Sequence, residues 1–168
     1  ERVAGLGLVA TAAATPVVPG LSGGAAALGA AIVERLDSGR PVPHYRFTGN
    51  DLSLFLIRSV FGASPSAAAI EQVRASIEGT EPEAIQRSLA GIFSDHDTTD
   101  RLGSVDVPAA VLVGTRDTLT PPGFARIMAE RLPDAELTVL PRAGHQLMQE
   151  RPDAVDRMVR DLAERAEA

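Results

Sequence analysis

The chain has 168 residues, enough for one domain with a real core, and its 45% apolar content and mean hydropathy of +0.06 are those of a soluble globular protein. A net charge of −6, with no Lys and every basic residue an Arg, argues against a nucleic-acid surface, which needs clustered cations. The absence of Cys removes disulfides, thiolate metal sites and a cysteine nucleophile.

In chain order, Val3 to Ala10 is a continuous apolar run of strand length, the pattern of a parallel strand buried on both faces. The flank Glu1-Arg2 is not the positive start of a signal peptide. The wider apolar stretch Val3 to Val18 is broken by Gly5, Gly7 and Pro16 and is too short to span a bilayer. A buried strand and a cytoplasmic protein are therefore expected.

From Ala14 to Asp100 the pattern turns helical, divided by Pro and Gly. Helices are expected over Ala25 to Leu36 and over the apolar stretch Asp51 to Val60. A third is capped by Ser64-Pro65, with Ile70, Val73 and Ile77 in register. Thr80-Glu-Pro-Glu83 has the form of a capping box and opens a fourth, carrying Ile85, Leu89, Ile92 and Phe93. A long helical insertion between buried strands is expected to be a cap or lid.

Ala109 to Val113 is the second strand, closed by Gly114. A helix follows from Pro122 to Leu132, with Phe124, Ile127, Met128 and Leu132 on one face. Glu136 to Leu140 is a third, amphipathic strand. A last helix opens at Pro152, with Val155, Met158, Val159 and Leu162 at i, i+3, i+4 and i+7. The expected fold is α/β: a partial parallel sheet of about three strands joined by right-handed crossovers, with 1–13 and 101–168 as core and 14–100 as insertion.

Two turns carry the chemistry. Val-Gly-Thr-Arg-Asp117 follows the second strand, and Pro-Arg-Ala-Gly-His145 follows the third. Asp is common in turns and a loop His need do nothing. An Asp and then a His delivered past consecutive strand ends, however, match the acid and base of a nucleophile–His–Asp triad. A carboxylate on one imidazole nitrogen would fix the tautomer and stabilise the imidazolium.

Other motifs are weaker. Gly20-Leu-Ser22-Gly-Gly24 matches G-x-S-x-G, but Pro16 and Pro19 leave no strand to feed it; a Gly-rich loop entering the insertion is the expected reading. Gly5-Leu-Gly-Leu-Val-Ala10 matches a dinucleotide fingerprint, yet its glycines lie inside the strand, and no acidic strand end follows at the expected distance. Asp95, His96 and Asp97 are consecutive and so diverge, unlike metal ligands. His44-Tyr45 reads as surface loop. Leu52, Leu54, Phe55, Leu56 and Ile57 read as packed core, with an acyl-pocket lining as the functional alternative.

Taken together, these residues resemble the C-terminal half of an α/β-hydrolase. Glu-Arg-Val-Ala-Gly-Leu-Gly-Leu-Val-Ala-Thr-Ala-Ala is similar to that family's sixth strand. Val-Pro-Ala-Ala-Val-Leu-Val-Gly-Thr-Arg-Asp-Thr-Leu-Thr-Pro-Pro is similar to its seventh strand and acid turn. Ala-Glu-Leu-Thr-Val-Leu-Pro-Arg-Ala-Gly-His with Glu-Arg-Pro is similar to its eighth strand, histidine turn and last helix. The insertion matches in position and helical character.

The resemblance implies that Asp117 is the triad acid and His145 the general base, acting on an ester or related carbonyl substrate without cofactor or metal. The same pair also serves epoxide, haloalkane, thioester and peptide chemistry on this fold. It also implies that the first five strands and the nucleophile precede Glu1. The chain is then expected to be a truncated product, a processed fragment or one piece of a split protein, and inactive alone. Its partners would be a small ester-like substrate, not nucleic acid, and an upstream segment or partner chain completing the sheet. The rival expectation is a non-catalytic half that binds a partner supplying the missing strands.

Overall fold

The computed structural model of the chain describes residues 3–14, 34–35, 38, 51–93 and 97–167. It divides into two compact units. The first comprises Glu1–Ala13, Ser59–Pro65 and Thr98–Ala168; the second comprises Ala14–Arg58 and Ser66–Asp97. Ser59–Pro65, which lies within the stretch expected as insertion, groups with the sheet unit.

The first unit is the expected α/β layer structure. Its strands are β1 (Leu6–Val9), β2 (Ala109–Gly114) and β3 (Ala135–Leu140), all parallel in the order β1-β2-β3. The central strand is buried along its whole length, as an Ala/Val/Leu run with no polar alternation requires. Ala109, Val111 and Val113 pack on one face with Ala125, Met128 and Leu132, from helix α4 (Pro122–Arg131) and the residue after it. Leu112 packs on the other with Ala10, Ala143 and Leu147, and against Val155 and Met158 of the last helix, α6 (Pro152–Glu167). The two-residue period of the strand thus divides one apolar run between two helical layers. Each fully buried Val, Leu or Met contributes about 1.5–3 kcal/mol.

Strand β1 is shorter than the apolar run around it. It ends at Ala10, whose φ of 46° leaves the extended region. Its glycines make room for side chains of the last helix: a Cβ on Gly5 would lie 3.2 Å from Leu162 Cγ, and one on Gly7 would lie 3.3 Å from Met158 Cε. Helix α6 can therefore lie close over this strand. Its far end is tied down by Arg165, which donates to Ala109 O at 3.0 Å and to Asp134 Oδ1 at 2.6 Å, at the start of β2 and just before β3.

Two expected core positions are solvent-facing: Ile127 on α4 and Val159 on α6 lie a step around the helix from the buried stripe. The short helix α5 (Leu147–Glu150), which the sequence pattern did not suggest, separates the histidine turn from α6.

In the second unit the described elements are α1 (Asp51–Ser59, its last residue in the first unit), α2 (Ala67–Glu78) and α3 (Pro82–Phe93), with an antiparallel bridge between Ala14 and Asp97. The helix expected over Ala25 to Leu36 lies outside the described residues except at 34–35. The cap of α2 is Ser66, whose Oγ accepts from Ala69 N–H at 3.1 Å, rather than Ser64-Pro65. The Thr80 hydroxyl donates back to Ser76 O at 2.8 Å, at the end of α2. Within α1 Ile57 is buried, whereas Leu54 and Phe55 are exposed, so that stretch is not uniformly core. No helix among the described residues is long and apolar enough to cross a membrane.

The end of β2 allows a sharp test of packing. A Cβ on Gly114 would lie 2.2 Å from Ala143 O, a contact that only backbone movement relieves, whereas a Cβ on Gly123 in α4 meets nothing within 4 Å. Gly114→Ala should destabilise the fold by about 3 kcal/mol or more. Gly123→Ala should be neutral or stabilising by up to about 1 kcal/mol. Urea denaturation midpoints of the two variants check this, and equal effects would overturn it.

Candidate active site

Parallel neighbours β2 and β3 end at the same edge of the sheet, and each runs directly into a turn, the first carrying Asp117 and the second His145. The two turns are joined to each other. Thr115 N–H donates to Leu140 O at 2.9 Å, Arg116 N–H to Ala143 O at 2.8 Å, and Arg142 N–H to Thr115 Oγ1 at 2.8 Å. Arg142 holds a φ of 61°, the left-handed conformation that bends the chain back over Gly114.

This geometry brings Asp117 and His145 together. His145 Nδ1 lies 3.0 Å from Asp117 Oδ2 and 3.3 Å from Oδ1. The Asp117 side chain is 0% exposed and that of His145 24% exposed, so the acid is sealed and the imidazole keeps a face to solvent. A buried carboxylate is stable only if its lone pairs are satisfied. Oδ1 accepts from Leu119 N–H at 2.9 Å and Thr120 N–H at 2.8 Å, and Oδ2 accepts the Thr120 hydroxyl at 2.9 Å. Thr120 Oγ1 also lies 3.3 Å from His145 Nδ1, so the hydroxyl braces both members of the pair.

Burial pushes the Asp117 carboxyl up. The His145 hydrogen bond, the Thr120 backbone N–H, the nearby imidazole charge and the Thr120 hydroxyl together outweigh it and hold the group below its ordinary range. A carboxylate on Nδ1 sets the tautomer that carries its proton there and leaves Nε2 free to accept one.

A third segment completes the histidine turn. Residues 60–63 run alongside it: His145 N–H donates to Val60 O at 2.8 Å, and Ala63 N–H donates to Arg142 O at 2.9 Å. The carboxylate of Glu150 accepts from Gly62 N–H at 2.8 Å and from Gly144 N–H at 2.9 Å. Leu119, on the acid turn, and Met148, in α5 just after His145, expose apolar surface.

Sequence reasoning picked out Asp117 and His145, which lie within hydrogen-bonding distance here, but not Thr120, Glu150 or residues 60–63 beside them. Thr120 and Glu150 had signals, three residues after the Asp and five after the His, but no period or spacing marks them. Ser22, His44, Asp95 and His96 lie outside the described residues. Asp97 bridges Ala14, and among the described residues no group of three or more His, Cys, Asp or Glu gathers as metal ligands would.

The Asp117 environment carries a pH signature. A group whose carboxyl titrates lower when folded contributes stability that is fully present above its unfolded value, near pH 4. That contribution is lost as the pH falls through the folded value. The stability advantage of the parent over Asp117→Asn should therefore be present at pH 6 and smaller at pH 3. Denaturant midpoints at the two pH values measure it, and a gap independent of pH would overturn the assignment.

The chain matches the model of the Alpha/beta hydrolase family over residues 2–158. It is 33% identical over 95 residues to a pimeloyl-[acyl-carrier protein] methyl ester esterase of Chromobacterium violaceum, covering 56% of this chain and 37% of that one. A protein of the same name from Nitrosomonas europaea is 32% identical over 96 residues, covering 56% and 38%. These matches thus span under two-fifths of each curated relative. Among solved structures, a thermophilic esterase from Thermogutta terrifontis with malate bound is similar with a TM-score of 0.76 and 27% identity, over 100% of this chain and 58% of that chain. MenH from S. aureus shares the fold, with a TM-score of 0.73 at 18% identity over 99% and 61%. With the family model matched along nearly its whole length, the chain belongs to the alpha/beta hydrolase family.

Proposed function

We propose that this chain supplies the acid and the base of a carboxylic ester hydrolase. The observation that carries the reading is the fully buried Asp117 carboxylate bonded to Nδ1 of a part-exposed His145. Relatives named as esterases support the same class of substrate. In this reading a nucleophile attacks the ester carbonyl and gives its proton to His145 Nε2. His145 passes that proton to the departing alkoxide, leaving an acyl-enzyme. Water then repeats the exchange and releases the acid. Asp117 orients the ring and stabilises the imidazolium, and does not itself take the proton.

The nucleophile is assigned outside residues 1–168, because Pro16 and Pro19 disfavour a strand leading into Gly20 to Gly24, and that stretch follows the run similar to the sixth strand. Exposed Leu119 and Met148 suit an apolar acyl or alkyl group, and the helical second unit is assigned the part of a lid. The substrate is a small molecule rather than a nucleic acid, given the charge of −6.

The test is p-nitrophenyl butyrate hydrolysis by the intact polypeptide. His145→Gln should lower kcat/KM by on the order of a thousandfold or more. Ser22→Ala should stay within about twofold of the parent. Retained turnover in the His145 variant would overturn the proposal. Fluorophosphonate labelling of Ser22, or a stoichiometric acyl burst from residues 1–168 alone, would move the nucleophile into this chain.

A second reading rests on β1. Among the described residues this strand pairs with β2 alone, leaving a half-buried edge. We propose that a further strand covers it, either from the same polypeptide or from a partner chain. Residues 1–168 expressed alone should then self-associate on size exclusion, and a clean monomer would count against an unsatisfied edge.

A further inference from the structure

We infer that Glu150 is a positioning residue for His145, acting through the backbone of the turn that carries it. The inference rests on the reading of Asp117 and His145 as acid and base and names a third side chain on which that geometry depends.

Three observations carry it. The first is the bonding of the carboxylate. Oε1 accepts from Gly144 N–H at 2.9 Å, the residue immediately before His145, and Oε2 accepts from Gly62 N–H at 2.8 Å, 88 residues away in sequence. One rigid anion thus joins the histidine turn to the segment lying alongside it, and charge-assisted bonds of this kind are about twice as strong as neutral ones. The second is the packing at the junction. A Cβ on Gly62 would lie 2.1 Å from Arg142 O and 2.6 Å from Glu150 Oε2, and one on Gly144 would lie 2.4 Å from Gly62 N. The two backbones meet without side chains between them, and the carboxylate bonds to both. The third is direction. Val60 O accepts from His145 N–H at 2.8 Å, so fixing Gly62 also fixes the carbonyl that holds the His145 backbone. The neighbouring Arg151 does not compete for the carboxylate, since its guanidinium donates to Glu150 O at 2.7 Å and to Pro141 O at 3.4 Å.

Acid–base chemistry depends steeply on where the ring sits, and a displacement of about 1 Å can cost on the order of a hundredfold in rate. A Gln at position 150 keeps the volume but offers one acceptor oxygen where two N–H donors point, and turns an amide N–H₂ toward the other. Glu150→Gln should therefore loosen the turn without removing core.

The experiment uses the intact polypeptide, with the imidazole nitrogens labelled with ¹⁵N and His145 assigned by loss of its signal in His145→Gln. The parent should show a single His145 tautomer protonated at Nδ1 and slow exchange at the Gly62 and Gly144 amides. Glu150→Gln should show mixed His145 tautomers and faster exchange at both amides, while amides of β2 and β3 keep their protection. Its kcat for the ester should fall between about tenfold and a hundredfold, with KM within about threefold. A purely structural role would lower the melting temperature but leave the tautomer and kcat unchanged below it, and that result would overturn the inference. Rapid exchange of the Gly62 and Gly144 amides in the parent would also overturn it, with no variant needed. If the parent hydrolyses no ester, the functional reading fails, while the tautomer and exchange results still decide the role of Glu150.

Discussion

Three glycines that leave no room for a side chain hold together the sheet edge that carries Asp117 and His145. At Gly114, Gly144 and Gly62 the nearest foreign backbone atoms lie so close that any Cβ would overlap them. The acid turn, the histidine turn and residues 60–63 therefore meet backbone to backbone, and hydrogen bonds between main chains replace side-chain packing there. Such contacts are short and directional, and they transmit the spacing of adjacent parallel strands, about 4.8 Å, to the groups just beyond the strand ends. Asp117 and His145, 28 residues apart, meet because β2 and β3 are neighbours and because their turns are locked to one another.

Burial of the Asp117 carboxylate is the costly element of this edge. A desolvated anion without partners would be untenable, and its cost is met by two backbone donors, one hydroxyl and an imidazole. The pairs on the second unit differ in kind. Arg74 with Glu71 and Glu78, and Arg87 with Glu83, join neighbouring turns of single helices at partly or fully exposed positions. Ion pairs of that sort contribute little and weaken with salt. Among the described residues, the pair at the sheet edge combines burial, multiple donors and a part-exposed imidazole, the combination that acid–base chemistry needs.

The sheet supplies a rigid platform for that edge. Its central strand divides Ala109, Val111 and Val113 from Leu112, and each set seals a different helical layer. The chain leaves this platform at Ala13, rejoins it over Ser59–Pro65 and returns for good at Thr98, whose N–H and hydroxyl both bond Ala13 O. An insertion anchored at adjacent points can vary without disturbing strand order, which is how one fold serves many substrates.

Local sequence was sufficient for whatever depends on period and turn chemistry. The apolar run at 109–113, the alternation at 135–140 and the stripe of α4 fixed the parallel α/β architecture, and Asp117 and His145 stood out because each follows a strand. Local pattern failed where bonding partners are distant. Ser64, Ser66 and Thr80 are all plausible caps by composition, and only the positions of nearby carbonyls and N–H groups decided that Ser66 caps α2 while Thr80 bonds Ser76 O. Glu150 reads as an ordinary polar residue ahead of a helix, and Val60 to Ala63 as the end of one. Their roles arise because Gly62 is brought beside Gly144 across more than eighty residues, a contact that no periodicity encodes. The sequence determined which side chains could do chemistry; tertiary structure decided which backbones hold them in place, because close approach of main chains is a property of the folded arrangement and not of any local stretch.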